Sequence, residues 1–123
     1  VVTALVSGFV GLAALLAAAT VEQRLSAGRA RAEVEGTFRV VDASQRRHRQ
    51  LHQRFATWGE LEAEGVRLPP RQRVLRSNAT HSHWYLALVD LDRGLVCDRV
   101  GDLTEETART PVPPRCRPVA ESL

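Results

Sequence analysis

Val1–Val21, VVTALVSGFVGLAALLAAATV, runs straight into Glu22–Phe55, EQRLSAGRARAEVEGTFRVVDASQRRHRQLHQRF, and the join between these two stretches decides how the chain folds. The first stretch holds no charged residue, and only Thr3, Ser7 and Thr20 interrupt its Leu, Val and Ala with polar side chains. As a helix rising 1.5 Å per residue it reaches about 31 Å, close to the apolar thickness of a bilayer. Three readings compete for it: a cleaved secretory signal, a single-pass anchor, and a helix that moves from membrane to filament core. The signal reading is the weakest, because no basic segment precedes the apolar run, although Ala17-Ala18-Ala19 has the composition of a cleavage site. Ser7 and Gly11, and Ala14 and Ala18, lie four apart, so another helix can approach closely at these small residues.

Beyond Glu22 the chain becomes charged, and no proline occurs before Pro69. Ala27, Ala30, Val34, Phe38, Val41, Gln45, His48, Leu51 and Phe55 recur in steps of three and four, the spacing of one helix face. Opposite charges lie four apart at Arg29/Glu33, Arg31/Glu35, Glu35/Arg39 and Asp42/Arg46, each contributing roughly 0.2–0.5 kcal/mol on an exposed helix. Gly28 and Gly36 each cost on the order of 1 kcal/mol relative to Ala and are places to expect bending. The pattern therefore predicts a two-part rod, uncharged over 1–21 and amphipathic over 22–56, roughly 80 Å long if unbroken.

Thr57-Trp58-Gly59 closes the helical pattern and opens a head over 57–123. Glu60–Glu64 reads as one short helical turn, and Leu68-Pro69-Pro70 enforces an extended connection. Trp84–Val89 and Leu95–Val100 are rich in strand formers and flank the turn Asp92-Arg93-Gly94, predicting a β-hairpin. Arg73–Arg76 offers a third strand, and the amphipathic helix is the only segment large enough to cover the resulting sheet. After Gly101 the chain carries Pro111, Pro113, Pro114 and Pro118 and is expected to be irregular. Cys97 and Cys116 form no CxxC pair, so one disulfide is the natural reading. Closing a loop of about 20 residues stabilises by roughly 3 kcal/mol on the chain-entropy model.

The chain of 123 residues has room for one small head besides the uncharged segment. Its 17 basic residues are all Arg, which reflects codon bias more readily than chemistry. The net charge of +3 is spread along the chain.

This order of parts resembles the type IV pilin family along essentially the whole chain. Gln50–Leu61, with Phe55 and Trp58-Gly59-Glu60-Leu61, is similar to the pilin transition from spine helix to head, and His83–Cys116 is similar to pilin strands ending in a disulfide loop. The resemblance implies an α+β fold with a long N-terminal spine packed on a small antiparallel sheet. It also implies a mature chain that begins at Val1 after leader removal and methylation, residing in the inner membrane until pilus assembly machinery extracts it. The partners would be further copies of the chain in a helical filament, with Val1, Leu5, Phe9, Leu12, Leu15 and Leu16 on the assembly helix. The sequence departs from the family at Val1, where Phe is usual, at Leu5, where Glu is usual, and at Val21-Glu22, near which a proline is common. The family's pairing of that Glu with a neighbour's terminal amine is therefore not carried over. Apolar packing alone fits a filament-forming subunit, with a minor tip subunit as the second choice.

Arg46, Arg47, Arg49 and Arg54, with His48 and His52 between them, form a candidate basic contact face. No aromatic residue interleaves with them, and Glu60, Glu62 and Glu64 are at hand to neutralise them, so intersubunit salt bridging is favoured over nucleic-acid binding. His48 and His52 have the i,i+4 spacing of a zinc pair, and His81 and His83 could share a strand edge. With no nearby Cys and no HExxH glutamate, the sequence assigns no metal site. Asn78-Ala79-Thr80 is a glycosylation sequon expected on a loop. No phosphate-binding loop, nucleophile elbow or spaced carboxylate pair licenses a catalytic mechanism, and no cofactor is expected. The competing function is that of a single-pass anchored protein whose head binds a ligand or partner outside the cytoplasm.

Overall fold

The computed structural model describes residues 2–107 and 112–121, with side chains for Leu25, 28–105 and 112–120. Helix α1 spans Val2–His52 and α2 spans Trp58–Ala63; strands β1 (Gln72–Ala79), β2 (His83–Asp90), β3 (Leu95–Asp102) and β4 (Arg115–Pro118) follow. The strands form one antiparallel sheet in sequence order, β1-β2-β3-β4. The fold is α+β, a long N-terminal helix packed on a four-stranded sheet. The side chains of Val1, Leu5, Phe9, Leu12, Leu15 and Leu16 lie outside the described residues. Among the described residues no helix is long and apolar enough to cross a membrane, and the run 1–21 is not among those side chains.

The stripe read from spacing is the face α1 buries. Ala30, Val34, Phe38, Val41, Gln45 and His48 are all at most 3 % exposed. Val34, Phe38 and Val41 among them cluster with Trp84, Leu86 and Leu88 of β2 and Cys97 of β3, which share one side of the sheet because strand side chains alternate. Helix α1 passes through Gly28 and Gly36 without interruption, in keeping with a continuous spine. Of the four expected i,i+4 ion pairs, Asp42 and Arg46 are in contact at 3.5 Å, whereas Glu33 turns to Arg93 at 3.2 Å.

The spine ends earlier than its periodicity implies, at His52 rather than in the mid-fifties. Gln53 takes a left-handed φ of 61°, the common way for a helix to stop. Two turns back, the Gln45 side chain grips Ala56 from both sides: its Nε2 donates to the Ala56 carbonyl at 2.8 Å and its Oε1 accepts from the Ala56 N–H at 2.7 Å. The Phe55 N–H donates to the Thr80 carbonyl at 3.0 Å, so Phe55 is buried from a loop and not from the helix. Leu51, expected on the buried stripe, is left 71 % exposed by this early stop. The chain re-enters helix at α2, where Thr57 and Glu60 form a reciprocal capping box.

The third strand is longer than the expected Arg73–Arg76 and contains a bulge between Val74 and Arg76. The sequon residue Asn78 therefore sits in this edge strand and not in a loop. The turn after β2 forms as expected, with Gly94 at φ 62° and the Arg93 N–H donating to Asp90 Oδ1 at 3.1 Å. Gly101 is required by packing, since a Cβ there would lie 2.1 Å from Nε1 of Trp84, its partner across the ladder. The stretch after Gly101 is less irregular than its prolines suggest. β3 continues to Asp102, and Arg115–Pro118 pairs with β3 as a fourth strand that places Cys116 opposite Cys97. The Cys97–Cys116 disulfide thus joins neighbouring strands, one of them an edge strand, where a proline such as Pro118 is tolerated.

Replacing both cysteines with alanine is expected to lower stability by about 3 kcal/mol, because the bridge closes a loop of sequence separation 19. Chemical denaturation of the two forms measures this, and hydrogen exchange should show β4 as the first strand to lose protection.

Candidate functional site

The surface between α1 and the head is not purely apolar. Polar contacts occur at intervals along the buried stripe, each joining a helix residue to a different part of the head. Nearest the N-terminal end of the head, the Thr37 hydroxyl donates to Oε1 of Gln72, whose side chain is wholly buried. A turn further on, Asp42 Oδ1 accepts from Arg99 at 2.9 Å. Gln45 holds Ala56 as described. His48 Nδ1 lies 2.5 Å from Glu64 Oε1, at the C-terminal end of α2. Positions 37, 42, 45 and 48 follow the helix, while their partners come from β1, β3, the α1–α2 loop and the residue after α2.

Arg99 is the most deeply placed charge in this seam, its side chain only 3 % exposed. It bridges Asp42 and Glu105, and its guanidinium lies 5.1 Å from the centroid of the Trp84 ring. Arg46 closes the same network, pairing with Asp42 at 3.5 Å and donating to the Glu105 carbonyl at 3.1 Å. Burial raises the Glu105 carboxyl above the ordinary range and outweighs the opposing attraction of Arg99. Next to α2 the balance is reversed for Glu60. The Thr57 backbone N–H, with smaller help from the Thr57 hydroxyl and Arg54, holds its carboxyl below the usual value.

The four arginines of the candidate basic face do not act as one surface. Arg46 is drawn into the Asp42/Glu105 seam, and Arg54 donates to Glu60 at 2.7 Å. Arg49 is half-buried, and Arg47 is exposed. The two histidines between them do meet, with ring centroids 4.3 Å apart. His48 is buried and His52 exposed, and Glu64 joins them within 4.8 Å. His81 and His83 do not form a second pair: His81 is in the β1–β2 turn, and His83 Nδ1 faces Thr80 Oγ1 at 3.1 Å. Arg99 and Gln45 were missed as site residues. An Arg in a strand looks solvated until the sheet register brings it its partners, and Gln45, though on the expected buried stripe, shows its role only once the loop path brings Ala56 to it.

The architecture is pilin-like. One long N-terminal helix lies on an antiparallel meander whose last strands are joined by a disulfide, and the bond points to an oxidising, extracytoplasmic location. Comparison with protein-family models, with curated proteins and with solved structures finds no match in any of the three.

Removing the charge of Arg99 alone, as Arg99→Met, leaves Asp42 and Glu105 without their buried partner and should cost about 3 kcal/mol. The double variant Asp42→Leu/Arg99→Met is expected to recover part of that loss. Denaturant unfolding of both singles and the double yields the coupling energy, and strictly additive losses would mean that the pair does not act as a unit.

Proposed function

We propose that this protein is a structural subunit of a type IV pilus-like extracellular filament, assembled by packing of its uncharged N-terminal helix against copies of itself. The observation that carries this reading is the division of labour along one helix. α1 is continuous over Val2–His52, and among its described side chains the buried stripe starts at Ala30, whereas Leu25, Gly28 and Arg29 are exposed. The run of 1–21 carries no charged residue, and its Leu, Val and Phe side chains call for an apolar environment. A membrane can supply one before assembly, and neighbouring copies can supply one afterwards. Each large apolar side chain buried in this way contributes up to ~1.5–3 kcal/mol.

The disulfide-closed head fits exposure outside the cytoplasm, where a filament surface lies. The resemblance supplies the remaining partners, an inner membrane and an assembly machinery. Adhesion, motility or uptake would be properties of the assembly, and no catalytic role is assigned to the single chain. Internal pairing of Arg46 and Arg54 weakens the case for nucleic acid as a partner, since those charges are already met within the chain. The competing reading, a single-pass anchored binding protein, predicts a helix that remains in lipid.

Shearing cells and imaging the detergent-free supernatant separates the two. This chain should be recovered in long thin fibres, and Leu12→Arg should eliminate them while a head with an intact disulfide still accumulates in membranes. Recovery of the unaltered chain solely after detergent extraction would defeat the filament reading.

A further inference from the structure

Where α1 stops, three metal-ligating side chains come together from two helices. His48 and His52 are one turn apart at the end of α1, and Glu64 is the residue that closes α2; one ligand atom from each lies within 4.8 Å of the others. His48 is the fixed member, its side chain 3 % exposed and held by packing on the head. Its two nitrogens have different surroundings. Nδ1 faces Glu64 at 2.5 Å, and Nε2 lies 3.5 Å from Glu60 Oε2, within ion-pair range but without a hydrogen-bond partner. A metal-bound histidine commonly gives its second ring N–H to a carboxylate, and Glu60 Oε2, which here accepts from Arg54 at 2.7 Å, is the carboxylate nearest to the unpartnered Nε2.

We propose that His48 Nδ1, His52 and Glu64 bind a divalent transition metal ion such as Zn2+, with Glu60 as the carboxylate that orients His48. Two imidazoles and a carboxylate are a zinc donor set, and bonds of about 2.0–2.1 Å in a tetrahedral site require ligand atoms roughly 3.4 Å apart. That spacing is reached from the present one, within 4.8 Å, by small movements of the exposed members. Glu64 moves back from its hydrogen-bonded contact with His48, and His52 turns inward from solvent. The carboxylates of Glu64 and Glu60 offset the charge of the ion. Three protein ligands leave the fourth position to water. The ion would clamp the end of the spine to α2, at the point where Gln53 breaks the helix.

The ligand set is distinct from the packing of the uncharged run, so it is testable whether or not the chain forms filaments. Titrating the full chain in detergent with Zn2+ should show one ion per chain and a raised melting temperature. Co2+ in its place should give the visible absorption of a four-coordinate site. His52→Ala removes an exposed ligand and should weaken zinc binding at least ~tenfold with little change in the melting temperature of the metal-free protein. Glu64→Gln should weaken it as well, and Glu60→Gln should weaken it less. Absence of stoichiometric zinc binding, or binding unaffected by both His52→Ala and Glu64→Gln, would overturn the proposal and leave His48–Glu64 as a structural ion pair.

Discussion

A four-stranded sheet with one apolar side cannot stand in water uncovered, and the structure depends on the way α1 covers it. The contact is made by a narrow stripe, Ala30 to His48, against Trp84, Leu86, Leu88 and Cys97. Apolar packing of this kind has little directional preference and would tolerate a helix shifted along its axis. The polar contacts at Thr37, Asp42, Gln45 and His48 remove that freedom. A shift of one turn would strand Gln72, Arg99 and the Ala56 backbone in a buried environment without partners, where each unsatisfied group costs about 1–3 kcal/mol and a charge more. The burial energy comes from the apolar stripe, and the polar seam sets the register in which that energy is gained.

This placement has a consequence for the rest of α1. The register is fixed from Ala30 onward; of the residues ahead of it, Leu25, Gly28 and Arg29 are exposed, and the uncharged run of 1–21 precedes them in the sequence. The same rule that put Phe38 and Val41 against the sheet applies to Leu, Val and Phe in 1–21, which must also leave water. The filament of copies proposed above would satisfy this demand without any new surface on the head. The disulfide bears on the same balance, since a head this small has a narrow stability margin and β4 is a four-residue edge strand. Pinning that strand to β3 keeps the exposed end of the sheet closed.

Much of this was legible in the sequence wherever a period carried the signal. The 3.6-residue spacing identified the buried face of α1, and two runs of strand formers around a glycine turn identified the central hairpin. Two lone cysteines identified the disulfide. Features that depend on where distant segments meet were not legible. Arg115–Pro118 lacks strand-forming residues and becomes a strand because β3 and the disulfide hold it there. The early end of α1 comes from Gln45 capturing Ala56, a contact between residues that both fit the helical pattern. Arg99 reads as an outward-facing strand residue until the ladder places it on the same side as Leu86 and opposite Asp42. The His48/His52 pair was visible as spacing, but Glu64 counted only as a neutralising charge, because nothing local to α2 indicates that it ends beside His48.

The most direct test of the account asks what the uncharged run of 1–21 touches in material recovered from the cell surface. A photoreactive amino acid in place of Phe9, activated in detergent-free material from the cell surface, reports the neighbour at that position. The account predicts adducts that run as multiples of this chain alone. Adducts to lipid or to unrelated polypeptides would contradict it.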